Sequence, residues 1–284
     1  MTQEEFDQTE TMPCGSVIQH GPYNNRIYLV KIGKKSLTDL PDTLISMAEK
    51  HGYSKIFAKI PSSRADSFFQ AGFVEEASVP GFYNGRDAGA FLAYYLTDER
   101  AYEADAEVYE KNIQLALEKK NAEISELDPS RFLLRRCGKD DVAEMAEVYK
   151  IVFASYPFPI HNPDYLLETM QSHVDYFCIE GRGKIVALSS AEMESKSSYA
   201  EMTDFATLPD WRGHGLAAPL LFHMENEIGK KGIKTAYTIA RSASAGMNIT
   251  FAKLGYCYAG RLKNNTNISG SIESMNIWYK PIVG

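Results

Sequence analysis

The sequence has few cysteines and no spacing that would pair them. Its 284 residues include four, Cys14, Cys137, Cys178 and Cys257, and no two of them form a CxxC pair. Scattered cysteines without a secretion signal are typical of reduced thiols in a cytoplasm. The six histidines lack HExxH or related spacing, so the sequence predicts no metal site.

The sequence also lacks a targeting segment, a membrane span and an excess of positive charge. It opens on MTQEEFDQTETMPCG, without the basic patch and apolar run of a signal peptide. No stretch approaches the roughly 18–20 apolar residues of a membrane-spanning helix. The net charge of −7 argues against general binding to nucleic acid or an anionic membrane. A negative net charge suits a small cationic partner, although it also keeps an ordinary protein soluble. We therefore expect a cytoplasmic protein that binds a small molecule.

A polar, Glu- and Lys-rich stretch divides the chain. Residues 101–127 carry apolar residues at helical intervals and end at Asp128-Pro129, where proline discourages continuation. This pattern predicts one long helix that connects two units. We predict an N-terminal α/β domain over 1–128, including this helix, and a second domain over 129–284.

The C-terminal unit alternates regularly between strand and helix patterns. Hydrophobic periodicity predicts the order βααβββαβαββ, which indicates an α/β (α+β) fold with a mixed central sheet and flanking helices. Asn162 is the expected N-cap of the second helix, with Pro163 at its first position.

The N-terminal unit is less regular but similar in kind. The pattern predicts strands at 26–32, 55–60 and 91–96 and helices at 40–51 and 64–71. Residues 68–73 (FFQAGF) echo residues 251–256 (FAKLGY), each a helix end closed by glycine and an aromatic strand start. A degenerate duplication is one explanation, and the ordinary use of glycine after helices is the other.

A glycine-containing turn, PDWRGHGLA at 209–217, lies between a predicted strand and a predicted helix. Glycines let successive backbone N–H groups face one point, and the helix that follows adds its positive dipole end. Such a concavity fits a phosphate or pyrophosphate. Taken alone, the same letters are equally compatible with a simple tight turn.

The turn resembles the R/Q-x-x-G-x-G/A signature of the GCN5-related N-acetyltransferase (GNAT) superfamily. Arg212, Gly215 and Ala217 match it, and KLGY at 253–256 resembles the close of that family's second CoA-contacting motif. The resemblance covers about residues 131–284 and includes the order of elements. It implies an acetyl-CoA-dependent N-acyltransferase whose C-terminal half has the GNAT fold. A smaller α/β domain would precede it, and this domain would be a degenerate GNAT-like half if the chain arose by duplication.

The resemblance also implies which residues hold acetyl-CoA. The pyrophosphate would lie on the turn and the pantetheine arm beside the preceding strand, mostly through main-chain groups. The start of the later helix would add Ser244, where the family often has asparagine, and Asn248 one turn on. The implied cofactor-binding residues are Phe205, Ala206, Thr207, Arg212, Gly213, His214, Gly215, Leu216, Ala217, Ser244 and Asn248.

Acyl transfer to an amine needs a base, because an aliphatic amine with a pKa near 10.4 is mostly protonated at neutral pH. Glu201, eleven residues before Arg212, matches the position of the glutamate base in histone-acetylating members. Asp204 is the rival. Three residues later on a regular strand it would point to the opposite face, so we expect only one of the two in the cleft.

The general acid and the acceptor site are less defined. Phe251 occupies a position where many family members have a tyrosine acid, which leaves Tyr256, Tyr237 and Tyr258 as possible proton donors. The loop with Tyr156 and Phe158 joins two helices where the family usually shapes its acceptor site. The aromatic rings would contact an alkyl chain or a cation, or would only form a lid.

The whole chain resembles one subgroup, the β-lysine N-acetyltransferases. The similar stretches are VPGFYNG at 79–85 with the strand at 90–96, and the run 241–256. This resemblance implies transfer to the N6 amine of β-lysine, which gives the compatible solute N6-acetyl-β-lysine. Acetylating one of two ammonium groups leaves a net-neutral zwitterion.

Three alternatives stay open. In the first, the acceptor is a polyamine, another diamino acid or a protein lysine. In the second, the chain is a non-catalytic acyl-CoA sensor. In the third, the N-terminal half is a protein-interaction module that recruits substrates. A homodimer also stays open, because the sequence does not give the oligomeric state.

Overall fold

A computed structural model describes residues 6–33, 39–124 and 126–282. Within these ranges every strand joins one sheet of thirteen, in the order β1-β2-β3-β4-β6-β5-β12-β13-β11-β10-β9-β8-β7. The strands are β1 (Gln8–Thr11), β2 (Val17–Gly21), β3 (Arg26–Lys31), β4 (Lys55–Pro61), β5 (Val74–Tyr83), β6 (Asp87–Tyr95), β7 (Phe132–Arg136), β8 (Val174–Gly181), β9 (Lys184–Glu194), β10 (Tyr199–Thr207), β11 (Thr235–Arg241), β12 (Cys257–Ile268) and β13 (Ser271–Pro281).

Helices flank the sheet in both halves. They are α1 (Leu40–His51), α2 (Asp66–Gln70), α3 (Asp98–Ala101), α4 (Ala106–Glu118), α5 (Val142–Val152), α6 (Pro163–Ser172), α7 (Ala217–Lys230) and α8 (Ala245–Lys253). No helix in the described ranges is both long and apolar enough to cross a membrane.

The predicted order of the C-terminal half is confirmed. From β7 to β13 the elements run βααβββαβαββ. Asn162 caps α6, since its side-chain oxygen accepts a 2.9 Å hydrogen bond from the backbone N–H of Asp164, and Pro163 is the first helical residue. Buried apolar runs in β8 and β9 and the apolar stripe of α7 together form the core of this half.

The prediction of one helix over 101–127 is wrong. The chain forms α3, leaves helical geometry at Tyr102 (φ −89°, ψ 128°) and starts again as α4. α4 packs on the C-terminal half, where the Asn112 side-chain amide donates a 2.9 Å hydrogen bond to the Ser242 carbonyl. The exposed sequence is compatible with a longer helix. Packing against the C-terminal half therefore sets where the helix begins and ends.

The same strand-and-helix order occurs twice along the sheet. In the N-terminal half β3 pairs parallel with β4, and antiparallel pairs β1·β2, β2·β3, β4·β6 and β5·β6 complete it. In the C-terminal half β10 pairs parallel with β11, with antiparallel pairs β8·β9, β9·β10, β11·β13 and β12·β13. α1 and α2 occupy the connections that α7 and α8 occupy in the other half.

The two halves meet along β5 and β12, so that their sheets are continuous. The register pair is Gly260 with Ala77. Beside it, buried Lys55 donates to Glu76 (2.8 Å) and to the Lys263 carbonyl (2.7 Å), while Glu76 accepts from the Lys263 N–H (2.7 Å). Paired buried charges with full hydrogen bonding lock this junction.

Candidate active site

One large cavity lies between the two halves. Its volume is about 1140 Å³, and its walls extend from the turn at 212–217, along β10, to β2, β3 and β4 of the N-terminal half. The loop between α5 and α6 closes one side with Tyr156 and Phe158, which places both predicted substrate-site aromatics at the cavity.

The cavity opens where two neighbouring strands separate. β10 and β11 pair only from Tyr199 with Thr235 to Glu201 with Tyr237, although both strands continue beyond that point. Beyond Glu201 the edge of β10 that faces β11 has no strand partner, although β10 stays paired with β9 on its other edge, and Phe205 and Thr207 border the cavity there. An unpaired strand edge suits an extended, amide-containing ligand.

The glycine turn fits a pyrophosphate. Gly213 (φ +83°) and Gly215 (φ +68°) are left-handed, and a Cβ built on either meets no atom within 4 Å, so the backbone borders open space. Helix α7 follows immediately, with no side chain capping its first turn, which leaves its N–H groups available for an anion. The turn and the unpaired edge of β10 therefore match the two parts of acetyl-CoA predicted to lie there.

Glu201, the predicted base, lines the cavity at the last register pair of β10 and β11. Its Oε2 accepts a 2.7 Å hydrogen bond from the Tyr237 hydroxyl, and its Oε1 makes no hydrogen bond within the described ranges. Burial raises the pKa of Glu201 to about 7, with Lys59 opposing this shift and Glu192 adding to it. Glu192 is the cross-strand partner of Glu201 on β9, so repulsion between the two carboxylates is built into the register.

Asp204 also lines the cavity, so the expectation that only one of these acids would do so is wrong. The register of β10 against β9 shifts between Thr203 and Ala206, and Asp204 has a left-handed φ of +55°. A bulge of this kind breaks the alternation of side chains and re-aims one of them. Tyr156 donates to one oxygen of Asp204 and Ser190 to the other at 2.6 Å.

Lys59 of the N-terminal half is a site residue that the sequence analysis missed. Its Nζ donates a 2.8 Å hydrogen bond to the Tyr237 hydroxyl, which forms the chain Lys59–Tyr237–Glu201. The ring centroids of Tyr199 and Tyr28 lie 5.2 and 5.9 Å from Nζ. The pKa of Lys59 is raised well above its ordinary value, because these neighbours outweigh the cost of burial. A lysine inside the apolar run KIFAKIP was the available signal.

Tyr256 is not placed to donate a proton to the reaction. It is fully buried, packs edge-on against Phe251 and does not line the cavity. Burial and then nearby Glu225 raise its pKa well above the ordinary value. Because glycine closes α8 just before it, the chain turns this side chain into the core instead of the site.

Asn248 is likewise structural. It is completely buried; its amide donates to the carbonyls of Arg241 (3.0 Å) and Ser244 (2.7 Å), and its oxygen accepts from Asn276 and Trp278, both at 2.8 Å. All of its hydrogen-bonding capacity is used, so its side chain does not hold the cofactor.

The other predicted cofactor residues divide by position. Ala206 is buried and His214 packs near Phe132 and Trp211, and neither side chain borders the cavity. The remaining ones border it: Phe205, Thr207, Arg212, Gly213, Gly215, Leu216, Ala217 and Ser244.

Comparison with known proteins gives a consistent result. A model of the acetyltransferase (GNAT) family matches residues 145–256. The chain is 39% identical to the beta-lysine N(6)-acetyltransferase of Methanococcus maripaludis, over 93% of this chain and 96% of the relative. It is 33% identical to the enzyme of the same name from Methanosarcina mazei, over 85% and 96%. Among solved structures, the ribosomal-protein-S18-alanine N-acetyltransferase from Escherichia coli aligns with 54% of this chain and 95% of its own, at 19% identity and a TM-score of 0.47.

Proposed function

The chain belongs to the acetyltransferase (GNAT) family, and on that premise we propose that it transfers the acetyl group of acetyl-CoA to the N6 amine of β-lysine. It is an acetyl-CoA-dependent acyltransferase. The product would be N6-acetyl-β-lysine. Two relatives that carry this activity in their names, aligned over most of both chains, support the choice of acceptor.

The observation that carries the proposal is the placement of Glu201 beside the gap between β10 and β11. Removing a proton from an amine of pKa near 10.4 at pH 7 costs about 4–5 kcal/mol without help. A carboxylate with a pKa of about 7 and a free Oε1 is matched to that task. The neutral amine then attacks the thioester carbonyl; the C–N bond forms, the C–S bond breaks, and the proton that the nitrogen loses in becoming an amide goes to the departing CoA thiolate.

The charge of the cavity also suits a diamine. Glu201 and Asp204 line it together, and Glu192 lies on the neighbouring strand. Ammonium groups are stabilised where several carboxylates converge with few hydrogen-bond donors left over. The aromatic residues Tyr156 and Phe158 would then pack against the methylene chain of the acceptor.

Two finer features belong to the same proposal. The cytoplasm is the compartment we propose, since Cys137, Cys178 and Cys257 form no disulfide among the described residues. The homodimer stays a prediction, to be tested by the mass of the protein in solution.

A turnover assay with a panel of amines tests the proposal. Acetyl-CoA would be offered with β-lysine, α-lysine, spermidine and a lysine-containing peptide, and the acetylated nitrogen would be assigned by NMR. We expect kcat/KM for β-lysine to exceed the others by about a hundredfold or more, with acetylation at N6. Tight binding of acetyl-CoA without turnover of any amine would instead identify a sensor.

A further inference from the structure

Three buried side chains on the cavity wall have polar atoms without a partner. Gln19, Arg26 and Asn265 are 3%, 4% and 1% exposed and line the cavity. Gln19 Oε1, Arg26 Nε and Asn265 Oδ1 have no hydrogen-bond partner among the described residues. Burying a polar atom without a partner is unfavourable, so such a group on a cavity wall points to a ligand that supplies the missing contact.

The three residues lie together. Gln19 is the cross-strand partner of Tyr28 in the β2·β3 pair, and Arg26, two residues before Tyr28, shares its face of the strand. Arg26 Nη1 donates to the main-chain oxygen of Asn265 and, at 3.1 Å, to Thr266 Oγ1. One end of the cavity thus combines a guanidinium with two side-chain carbonyl oxygens, contributed by both halves of the chain.

Arg26 is a cation on which the carboxylates of Asp7 and Glu76 act only from beyond ion-pairing distance. Within the described ranges no carboxylate lies within 4 Å of it, and both of its hydrogen-bond acceptors are neutral. Burial lowers the pKa of Arg26 to about 10, which leaves it charged at neutral pH. A buried charge is stable only when it is paired, and a planar guanidinium matches a carboxylate.

The other cations on the cavity wall are already engaged or lie elsewhere. Arg241 is held by both oxygens of Glu273, at 2.9 and 2.6 Å, and Lys59 donates to Tyr237. Arg212 belongs to the glycine turn and Lys253 to the end of α8, where the cofactor is expected. His173 Nε2 lies 3.6 Å from Glu192 Oε1. Arg26 is therefore the cavity cation that best fits an acceptor carboxylate.

We propose that Gln19, Arg26 and Asn265 form the subsite for the β-amino acid end of the acceptor. Arg26 binds the carboxylate, and the oxygens of Gln19 and Asn265 accept hydrogen bonds from the β-ammonium group. This assignment rests on the proposed function. The ring of Tyr28, 5.4 Å from Arg26 Cζ and 5.9 Å from Lys59 Nζ, lies between this subsite and the Lys59–Tyr237–Glu201 chain. The N-terminal half thus selects an acceptor that carries a carboxylate over a plain diamine.

The test compares β-lysine with its carboxamide, in which a neutral amide replaces the carboxylate. We expect wild-type kcat/KM to favour β-lysine by about a hundredfold or more, because a site built for a charged partner rejects the uncharged analogue. In Arg26→Met this ratio should fall to within about tenfold of one. A wild-type ratio near one, or an Arg26→Met ratio equal to that of the wild type, would overturn the assignment.

A matched control separates recognition from stability. Arg100 is also a buried arginine of the N-terminal half, with hydrogen bonds to Ser54 and Asn24 and an unpartnered Nε, but it does not line the cavity. Arg100→Met should keep the wild-type ratio, and loss of the ratio there would count against a specific role for Arg26. Should Arg26→Met not fold, Arg26→Gln is the second variant, with the same expected loss.

The panel also keeps this proposal distinct from the proposed function. If the enzyme ignores β-lysine but acetylates α-lysine with an Arg26-dependent preference for the free acid over the amide, the carboxylate contact of Arg26 stands and the proposed acceptor is wrong. If β-lysine is acetylated at N6 but Arg26→Met keeps the preference for the acid, the function stands and the subsite is wrong.

Discussion

Glu201 and Asp204 both face the cavity, but their oxygens are used differently. Both oxygens of Asp204 accept hydrogen bonds from hydroxyl groups, of Tyr156 and Ser190. Among the residues that the structure describes, Glu201 accepts a hydrogen bond only at Oε2, from Tyr237, and none at Oε1. A base needs a free lone pair aimed at the proton it removes, so the hydrogen bonds favour Glu201 as base and Asp204 as an anionic wall.

Replacing Glu201 with glutamine should separate these roles. General bases typically contribute ~10²–10⁴-fold, so kcat/KM of Glu201→Gln near pH 7 should fall by about a hundredfold or more. Activity should recover as the pH climbs toward the pKa of the amine, and calorimetry should show nearly unchanged acetyl-CoA affinity.

Asp204→Asn is the matched variant for this test, and we expect its loss near pH 7 to be less than about tenfold. A larger loss in Asp204→Asn than in Glu201→Gln would exchange the two assignments.

Lys59 should set the pH at which the enzyme gains activity. Protonated Glu201 cannot accept a proton, so wild-type kcat/KM should rise as the pH passes about 7. The cation of Lys59 favours the charged carboxylate, and Glu192 opposes it. Lys59→Met should therefore raise the pKa of Glu201 and move the rising limb to higher pH, by about one unit.

The pH–rate profile of Lys59→Arg is the control for that shift. This variant keeps the positive charge, so the rising part of its pH–rate profile should stay closer to the wild-type position than that of Lys59→Met. A Lys59→Met profile that superimposes on the wild type would exclude an electrostatic role for Lys59.

At the scale of residues the sequence predicted Glu201 as the base and missed the residues around it. Glu201 was accessible only through the family resemblance, which places a glutamate eleven residues before Arg212. The orientation of Asp204 was not accessible, since a bulge depends on pairing with the next strand. Lys59 was missed because Tyr237, to which it donates a hydrogen bond, lies 178 positions away in the chain.

At the scale of elements, the glycine turn and α7 form the unit that we expect to hold the cofactor. Gly215 has a left-handed φ, and the space beside it is open. Gly215→Val would add strain of about 1–3 kcal/mol and fill the space proposed for the pyrophosphate. We expect the acetyl-CoA Kd, measured by calorimetry, to rise by about a hundredfold or more.

Gly232→Val supplies the comparison at the other end of the same helix. Gly232 is also left-handed (φ +78°) with nothing within 4 Å of a built Cβ. It should show a similar loss of thermal stability and a normal Kd. If the two variants bind acetyl-CoA with equal affinity, the turn at 212–217 does not bind the pyrophosphate.

Elements with strong hydrophobic periodicity could be predicted from the sequence. Elements that form only because they pair or pack with another element could not. The order from β7 to β13 followed from hydrophobic patterns that each element carries in its own residues. β1 (QTET) is exposed throughout and has no such pattern; it is a strand because it pairs with β2. The helix break at Tyr102 was hidden for the same reason, since packing of α3 and α4 on the other half fixes it.

At the scale of the whole molecule, the two halves share one strand order and one sheet. We propose that residues 1–128 are a degenerate copy of the fold in 129–284. The repeated parallel pair, β3·β4 and β10·β11, supports this, together with the helices that follow each strand. The short sequence echo alone was too weak to distinguish duplication from helix capping.

The junction between the halves should be sensitive to any side chain at Gly260, because the Cβ atom itself meets backbone. A Cβ on Gly260 would lie 2.1 Å from the Glu76 carbonyl oxygen and 2.7 Å from the Ala77 Cα. Because backbone cannot yield as a side chain does, Gly260→Val should destabilise the protein by about 2–4 kcal/mol. A thermal melt measures this, and the KM for the acceptor should rise more than the Kd for acetyl-CoA.

Gly270→Val is the control for the junction. Gly270 is left-handed (φ +92°), with open space around it, in the turn between β12 and β13. It should lose only the roughly 1–3 kcal/mol of strain that a left-handed position imposes on valine, so it should melt at a higher temperature than Gly260→Val, which adds the backbone clash. A Gly260→Val protein that is as stable as Gly270→Val would show that the halves are not held together at this point.

The continuous sheet has a further consequence for how such an enzyme changes over generations. Acetyl-CoA contacts are expected on β10 and α7, whereas much of the acceptor wall comes from β2, β3 and β4. Substitutions in the first hundred residues can therefore retune which amine is chosen while the acyl-transfer apparatus is inherited intact. Because both parts belong to one polypeptide, a newly acquired preference for an acceptor amine stays linked to the acyl-transfer site. An exchange of subunits cannot separate the two.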